Sequence, residues 1–297
     1  MKNREKLTGC LYAVFTVIVW GSTFISSKKL LLFYTPAQIM LTRFLLAYFS
    51  LWLLRPRKLS LTARQEAVFL LLGLTGCSIY FYTENTALTY TLAANVSIIV
   101  AAAPIFTAVI AHFAGEERFC QNTLWGFLIA FTGVVLVVFN GTFVLKLNPR
   151  GDLLALCAAG TWAVYSVLLR RTSRDMDAIL VTRRTLFWGA LTSFPLVLLE
   201  GVPYPTAPLL TSGVLGNFLF LGLLGSGICS VFWNRAFHLL GVVSTNNFIY
   251  LTPFITIVTA WIFLKEPISP LALLGAALIT VGVVASQLGP KAAKTQS

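Results

Sequence analysis

The chain has 297 residues, 57% of them hydrophobic and 11% charged, with a mean hydropathy of +0.83 and a formal net charge of +12. A soluble domain carries roughly a quarter of its residues as charges, so the composition excludes an ordinary soluble enzyme and points to a chain solvated by lipid. The positive excess is no nucleic-acid footprint, because it lies in short loops between apolar runs.

A membrane helix needs about 20 mostly apolar residues. The sequence predicts ten such spans: 8–27, 36–54, 67–88, 92–114, 122–140, 152–169, 178–199, 212–234, 243–264 and 268–288. The first follows Lys2, Arg4 and Lys6 in the manner of a secretory signal, yet it runs on through Trp20-Gly21 with no A-x-A-like cleavage site, and is read as a retained span. Span 2 carries Arg43, span 3 Tyr80, Glu84 and Asn85, and span 4 Asn95, Ser97 and Pro104. Glu117 precedes span 5, Trp162, Tyr165 and Ser166 lie in span 6, and Arg183 and Arg184 in span 7. Span 8 contains Gly222, Gly225 and Gly227; span 9 contains Asn246, Asn247, Tyr250 and Pro253; Glu266 precedes span 10. The longest linkers, 55–66 and 200–211, are too short to fold alone, so the expected work is done inside the bilayer.

Sliding the sequence on itself exposes a duplication. At an offset of 149, Asn85 falls on Asn234, Ala87 on Ala236, Pro104 on Pro253, Glu117 on Glu266, Gly126 on Gly275 and Gly133 on Gly282; at 142, Gly9 falls on Gly151 and Trp20 on Trp162. The expected organisation is a five-helix repeat over 1–145, a second over 146–290 and a short tail, 291–297. Five is odd, so the second copy enters the bilayer from the opposite side and the fold class is an all-α membrane protein of two inverted repeats around a central cavity, an architecture of transporters. With the N-terminus in the cytoplasm, 14 Lys and Arg residues fall on the cytoplasmic side, 5 outside and 3 within spans. Basic loops stay inside, so both termini are expected in the cytoplasm.

Glu84 is the first candidate site residue. An ionisable group in a membrane helix is costly unless it faces a partner or a wet cavity, so it serves solute or proton, or else it balances Arg43 at similar depth on span 2. Its repeat mate is Trp233, so any such role is confined to one half. Tyr80 lies one turn away on the same helix face. Asn85 and Asn95 near one membrane face, and Asn234, Asn246 and Asn247 near the other, suggest polar mouths or helix-to-helix hydrogen bonds. Between them Trp20, Thr23, Trp162, Tyr165, Ser166 and Tyr250 line a cavity or fill a core. Pro104 and Pro253, and the glycines seven apart on spans 5 and 10, offer hinges or static bends and close helix contacts. Glu117 and Glu266 suit helix N-termini. The five cysteines, Cys10, Cys77, Cys120, Cys157 and Cys229, show no ligand spacing and read as packing residues.

The run Glu84-Asn85-Thr86-Ala87-Leu88, then Tyr90-Thr91, Ala94-Asn95, Pro104, Glu116-Glu117 and Gly126…Gly133, resembles the signature hairpin of the drug/metabolite transporter superfamily, EamA branch. Trp20-Gly21-Ser22 and the second copy around Pro253, Glu266, Gly275 and Gly282 match as well. The resemblance implies a ten-helix inner-membrane carrier whose cavity is lined by spans 1, 3, 4, 6, 8 and 9, and it implies no substrate.

An intramembrane enzyme is disfavoured. Gly225-Ser226-Gly227 with His238 twelve residues on is no facing dyad, and no H-E-x-x-H, paired intramembrane Asp or P-loop occurs. A receptor or channel fits inverted repeats less well than alternating access does. The expectation is a secondary exporter of small organic metabolites, foremost neutral or aromatic amino acids, with a proton-coupled exporter of cationic drugs as the alternative. No cofactor, metal or nucleic acid is expected; the partners are the solute, the lipid bilayer and, where transport is coupled, protons. Monomer and homodimer both stay open.

Overall fold

The computed structural model describes residues 2–57, 59–91, 93–115, 121–139, 148–173 and 176–264, with positions 270, 274, 275, 277–279, 281, 282 and 285 beyond them. Every regular element among the described residues is helical. The helices are α1 (Lys2–Leu30), α2 (Pro36–Leu54), α3 (Ala63–Tyr90), α4 (93–113), α5 (Gln121–Phe139), α6 (Pro149–Thr172), α7 (Ala178–Glu200), α8 (Ser212–Leu240) and α9 (242–264). Five of them, α1 (from Arg4), α2, α3, α6 and α8, are long and apolar enough to cross a membrane. The predicted tenth span, 268–288, lies mostly outside the described residues, as do Glu117, Cys120 and Glu266.

The sequence marks where these helices begin. Thr35 caps α2 and Thr62 caps α3 in reciprocal capping boxes with Gln38 and Gln65, which satisfy N–H groups that have no partner within the first turn. Asn148 and Asp177 accept the first free N–H groups of α6 and α7. α7 closes at Gly201, whose φ of 62° is cheap only for glycine.

The interior of the chain is more irregular than a hydropathy plot conveys. α3 is π-helical over Leu74–Ile79 and α8 over Phe220–Ile228, stretches that overlap at the repeat offset of 149. α4 breaks at residues 101–102, before Pro104, and α9 tightens to a 3-10 turn over Asn247–Leu251, before Pro253. Proline has no N–H and its ring clashes with the carbonyl four residues back, so the helix must break or restart near it. The prolines thus open new helical segments at matching positions.

Packing crosses between the halves of the chain. α1 lies against α8 and α9, α6 lies against α3 and α4, and α2 lies against α7. α5 meets the segment around 275–282 backbone to backbone: a Cβ on Gly133 would come 2.6 Å from the Gly275 carbonyl oxygen, and one on Gly282 2.4 Å from the Ala130 nitrogen. Only glycine allows that approach.

Polarity is inverted relative to a soluble protein. Leu7, Leu11, Phe15 and Ile18 on α1, Trp52 and Leu53 on α2, and Phe194, Leu198 and Leu199 on α7 are exposed, whereas Gln38, Arg43, Asn85, Asn234 and Asn246 are at most 1% exposed. An exterior of large apolar side chains suits lipid, which has no polar groups to offer.

Candidate functional site

At the centre of the bundle Trp20 of α1 and Trp162 of α6 meet edge to face, ring centroids 5.2 Å apart at 90°. Both indole N–H groups are satisfied. Trp20 Nε1 donates to the Gly225 carbonyl at 2.9 Å and Trp162 Nε1 to Asn246 Oδ1 at 2.8 Å. Asn246 is itself fixed, because its Nδ2 donates to the Val242 carbonyl at 2.9 Å. Ser166 Oγ donates to the Trp162 carbonyl at 2.8 Å and stands 3.4 Å from Asn246 Oδ1. Three more rings complete the cluster: Trp233 at 4.9 Å from Trp20, and Tyr80 and Tyr165 at 5.1 and 5.2 Å from Trp162. Offset and edge-on contacts of this kind hold rings in place beyond their area of burial.

Two cavities flank this pair. One is lined by Trp20, Thr23, Arg43, Tyr80, Phe81, Glu84 and Trp162, with Phe24, Val100, Ile249 and Thr252 behind them. The other is lined by Trp20, Phe81, Trp162, Tyr165, Thr182, Thr185, Ser226, Ser230 and Trp233, among others. Trp20, Phe81 and Trp162 belong to both, so these rings form the partition. The first cavity offers ≈ 40 Å³ to the centres of water molecules, room for a few waters.

The charges sit in the first cavity. Arg43 is 1% exposed and Glu84 7% exposed. Arg43 Nε donates to Ser226 Oγ at 2.7 Å, and its guanidinium carbon lies 4.2 Å above the Phe81 ring. Glu84 lies one helical turn from Tyr80 on α3, and its Oε2 is buried with no partner. Both charges line the same cavity. No ion-pair contact within 4.0 Å joins them among the described residues.

The structure thus brings together Trp20, Thr23, Tyr80, Glu84, Trp162 and Tyr165 from the sequence-derived candidates, with Asn246 and Ser166 as the support of Trp162. Asn85, Asn247 and Tyr250 are buried but line neither cavity. The Asn95 side chain lies outside the described residues. The asparagines read as polar mouths or as helix-to-helix hydrogen-bonding groups, Asn85, Asn234, Asn246 and Asn247, are all at most 1% exposed. The lining groups that escaped the sequence reading as solute contacts include Arg43, Phe81, Ser226 and Trp233. Arg43 carried a usable signal, since a charge deep in a span is a functional candidate in its own right.

A model of the EamA-like transporter family matches residues 7–139 and, again, residues 149–286. The chain belongs to that family. It is a multi-pass membrane transporter, and relatives carry matching names. An uncharacterized transporter of Archaeoglobus fulgidus is 28% identical over 92% of this chain and 95% of its own. A probable terminal-alkyne amino-acid exporter of Streptantibioticus cattleyicolor is 29% identical over 94% and 93%. A solved crystal structure superposes with a TM-score of 0.75, covering 97% of this chain and 98% of its own at 20% identity, which shows a shared fold. Within this EamA-family chain the indole pair at 20 and 162 takes one ring from each matched segment.

Proposed function

We propose that this transporter is a secondary exporter that moves small amine-bearing organic solutes across the inner membrane by alternating access, with neutral and aromatic amino acids as the foremost class. The observation that carries this reading is the cavity itself, where Glu84, one of whose carboxylate oxygens is buried without a partner, lines the same space as Trp20, Tyr80, Phe81 and Trp162. A carboxylate recognises an ammonium, and the rings take the apolar remainder. The name of the Streptantibioticus relative points the same way.

Alternating access is supported by the double family match, the π-helical stretches at equivalent positions and the crossed packing of α1 and α6. These fit ten spans in two inverted repeats, 1–145 and 146–290, with both termini in the cytoplasm. The sequence holds no P-loop, so the energy comes from a gradient of solute or of protons. A cationic-drug exporter is the second reading, favoured by the ring-lined acid, since aromatic faces attract cations.

The test is flux in proteoliposomes with Glu84→Gln. A hydrogen bond to a charged group contributes about 1.5–3 kcal/mol, so the variant should melt like the parent and lose about 10- to 150-fold in affinity for amine-bearing solutes. Full flux in a normally folded variant would remove Glu84 from the site.

A further inference from the structure

We infer that Arg43 is the carboxylate-binding arm of the site, so that the solute recognised is a free amino acid in its zwitterionic form. This rests on the transporter reading above and narrows it to one class.

Buried charges are normally paired, because each loses its hydration on leaving water. Arg43 and Glu84 depart from that pattern: they line one cavity, both buried, and make no ion-pair contact with each other. Arg43 has neighbours of its own: its Nε donates to Ser226 Oγ at 2.7 Å, and the Phe81 ring lies 4.2 Å from the guanidinium carbon. Glu84 Oε2 is buried without a partner. The remaining guanidinium nitrogens make no hydrogen bond among the described residues, although Arg43 is nearly fully buried.

A pair of opposite charges kept apart in one cavity leaves both incompletely satisfied. A solute that carries an ammonium and a carboxylate on neighbouring carbons satisfies both at once. Its ammonium meets the Glu84 carboxylate, its carboxylate meets the planar donor fork of Arg43, which suits carboxylate geometry, and its side chain lies against Trp20 and Trp162. A simple amine leaves Arg43 stranded, and a simple acid leaves Glu84 stranded. A site built for both polar groups rejects analogues lacking one far more strongly than an apolar pocket rejects a methylene. The cavity is neutral overall, so a zwitterion enters without net charge.

The experiment uses the purified full chain and measures binding by calorimetry and uptake in proteoliposomes. The ligands are phenylalanine, phenethylamine and 3-phenylpropionate, and the corresponding trio built on leucine. The parent protein should bind each amino acid at least about tenfold more tightly than either analogue. Arg43→Gln should erase the advantage over the amine and Glu84→Gln the advantage over the acid, while Arg43→Lys keeps a preference for the carboxylate. Equal binding of amine and amino acid by the parent protein overturns the inference, as does an Arg43→Gln variant that melts normally and still prefers the amino acid. If Arg43→Gln does not fold, the analogue series on the parent protein decides alone. Transport of phenethylamine with no preference for phenylalanine sinks this inference and leaves the transporter reading standing. If none of the six ligands is bound or moved, both fall.

Discussion

Gly76→Ala tests whether the central rings are as tightly braced as their contacts indicate. Gly76 lies in the π-helical stretch of α3, and a Cβ built there comes 2.2 Å from Tyr165 Cδ2 and 2.5 Å from Cε2 and Cγ. Ordinary contact begins at 3.4 Å, so the ring must retreat by about 1.2 Å. On one side it meets Trp162, 5.2 Å away centroid to centroid and pinned by Asn246. The open direction is the cavity that Tyr165 itself lines. Overpacking of this sort costs about 1–3 kcal/mol, and the better helical propensity of alanine returns about 1 kcal/mol, which leaves a net loss of up to about 2 kcal/mol. The assay is a melting curve in detergent beside solute flux in proteoliposomes. We expect a melting point lower by a few degrees and flux reduced more than stability, because a displaced ring fills the space a solute needs. The control is Gly160→Ala, where an added Cβ meets nothing within 4 Å; it should be neutral or stabilising by up to about 1 kcal/mol. A Gly76→Ala protein with parental stability and flux refutes the bracing argument, and so does a Gly160→Ala protein that is equally damaged.

Asn246→Ala removes the acceptor of the Trp162 indole N–H; stranding that buried donor should cost about 1–3 kcal/mol and weaken solute binding, read by melting and calorimetry. Glu66 binds Arg184 through two hydrogen bonds, at 2.9 and 2.5 Å, and accepts from Trp188 Nε1 at 3.0 Å. Both charged side chains are partly exposed, 27% and 30%, so Glu66→Gln should lower stability by only about 0.5–1 kcal/mol, less at high salt, and a salt-independent loss would contradict a largely screened pair. Cysteine labelling in intact cells should place position 297 and residues near 173 in the cytoplasm, and residues near 146 and 205 outside; cytoplasmic labelling at 146 would end the inverted-repeat proposal.

Much of the scaffold is legible in the sequence because the bilayer leaves few choices. Backbone polar groups have no water to bond inside lipid, so long apolar runs become helices. The Thr35 and Thr62 caps, Pro36, Asn148, Asp177 and Gly201 state where several of them start or stop. Pro104 and Pro253 are visible as interruptions, and the structure adds only the form that each takes. Glu84 and the Trp20–Trp162 pair are legible too, one because its charge is expensive at depth and the other because the repeat aligns two indoles.

Which face of each helix looks inward is a different matter. A span that borders lipid on one side and apolar neighbours on the other has no polar stripe to set its phase, so nothing in residues 80–90 says that Glu84 faces the cavity and Asn85 does not. π-helical turns in α3 and α8 insert an extra residue and rotate everything after them, which defeats counting by 3.6. Tyr250 and Asn247, equally reasonable candidates by spacing, lie in the 3-10 turn of α9 and line neither cavity.

By itself, then, the sequence determined that the chain lives in a membrane, that it repeats, and which costly side chains lie at depth, because solvation by lipid penalises every unsatisfied polar group and so leaves its mark on composition. The tertiary structure alone decided that Arg43 turns to Ser226 and Phe81 instead of closing on Glu84. That choice depends on which atoms of α8 and α3 come within hydrogen-bonding reach of α2, and such reach is a property of the packed helices, where a shift of an ångström makes or breaks a contact between charges.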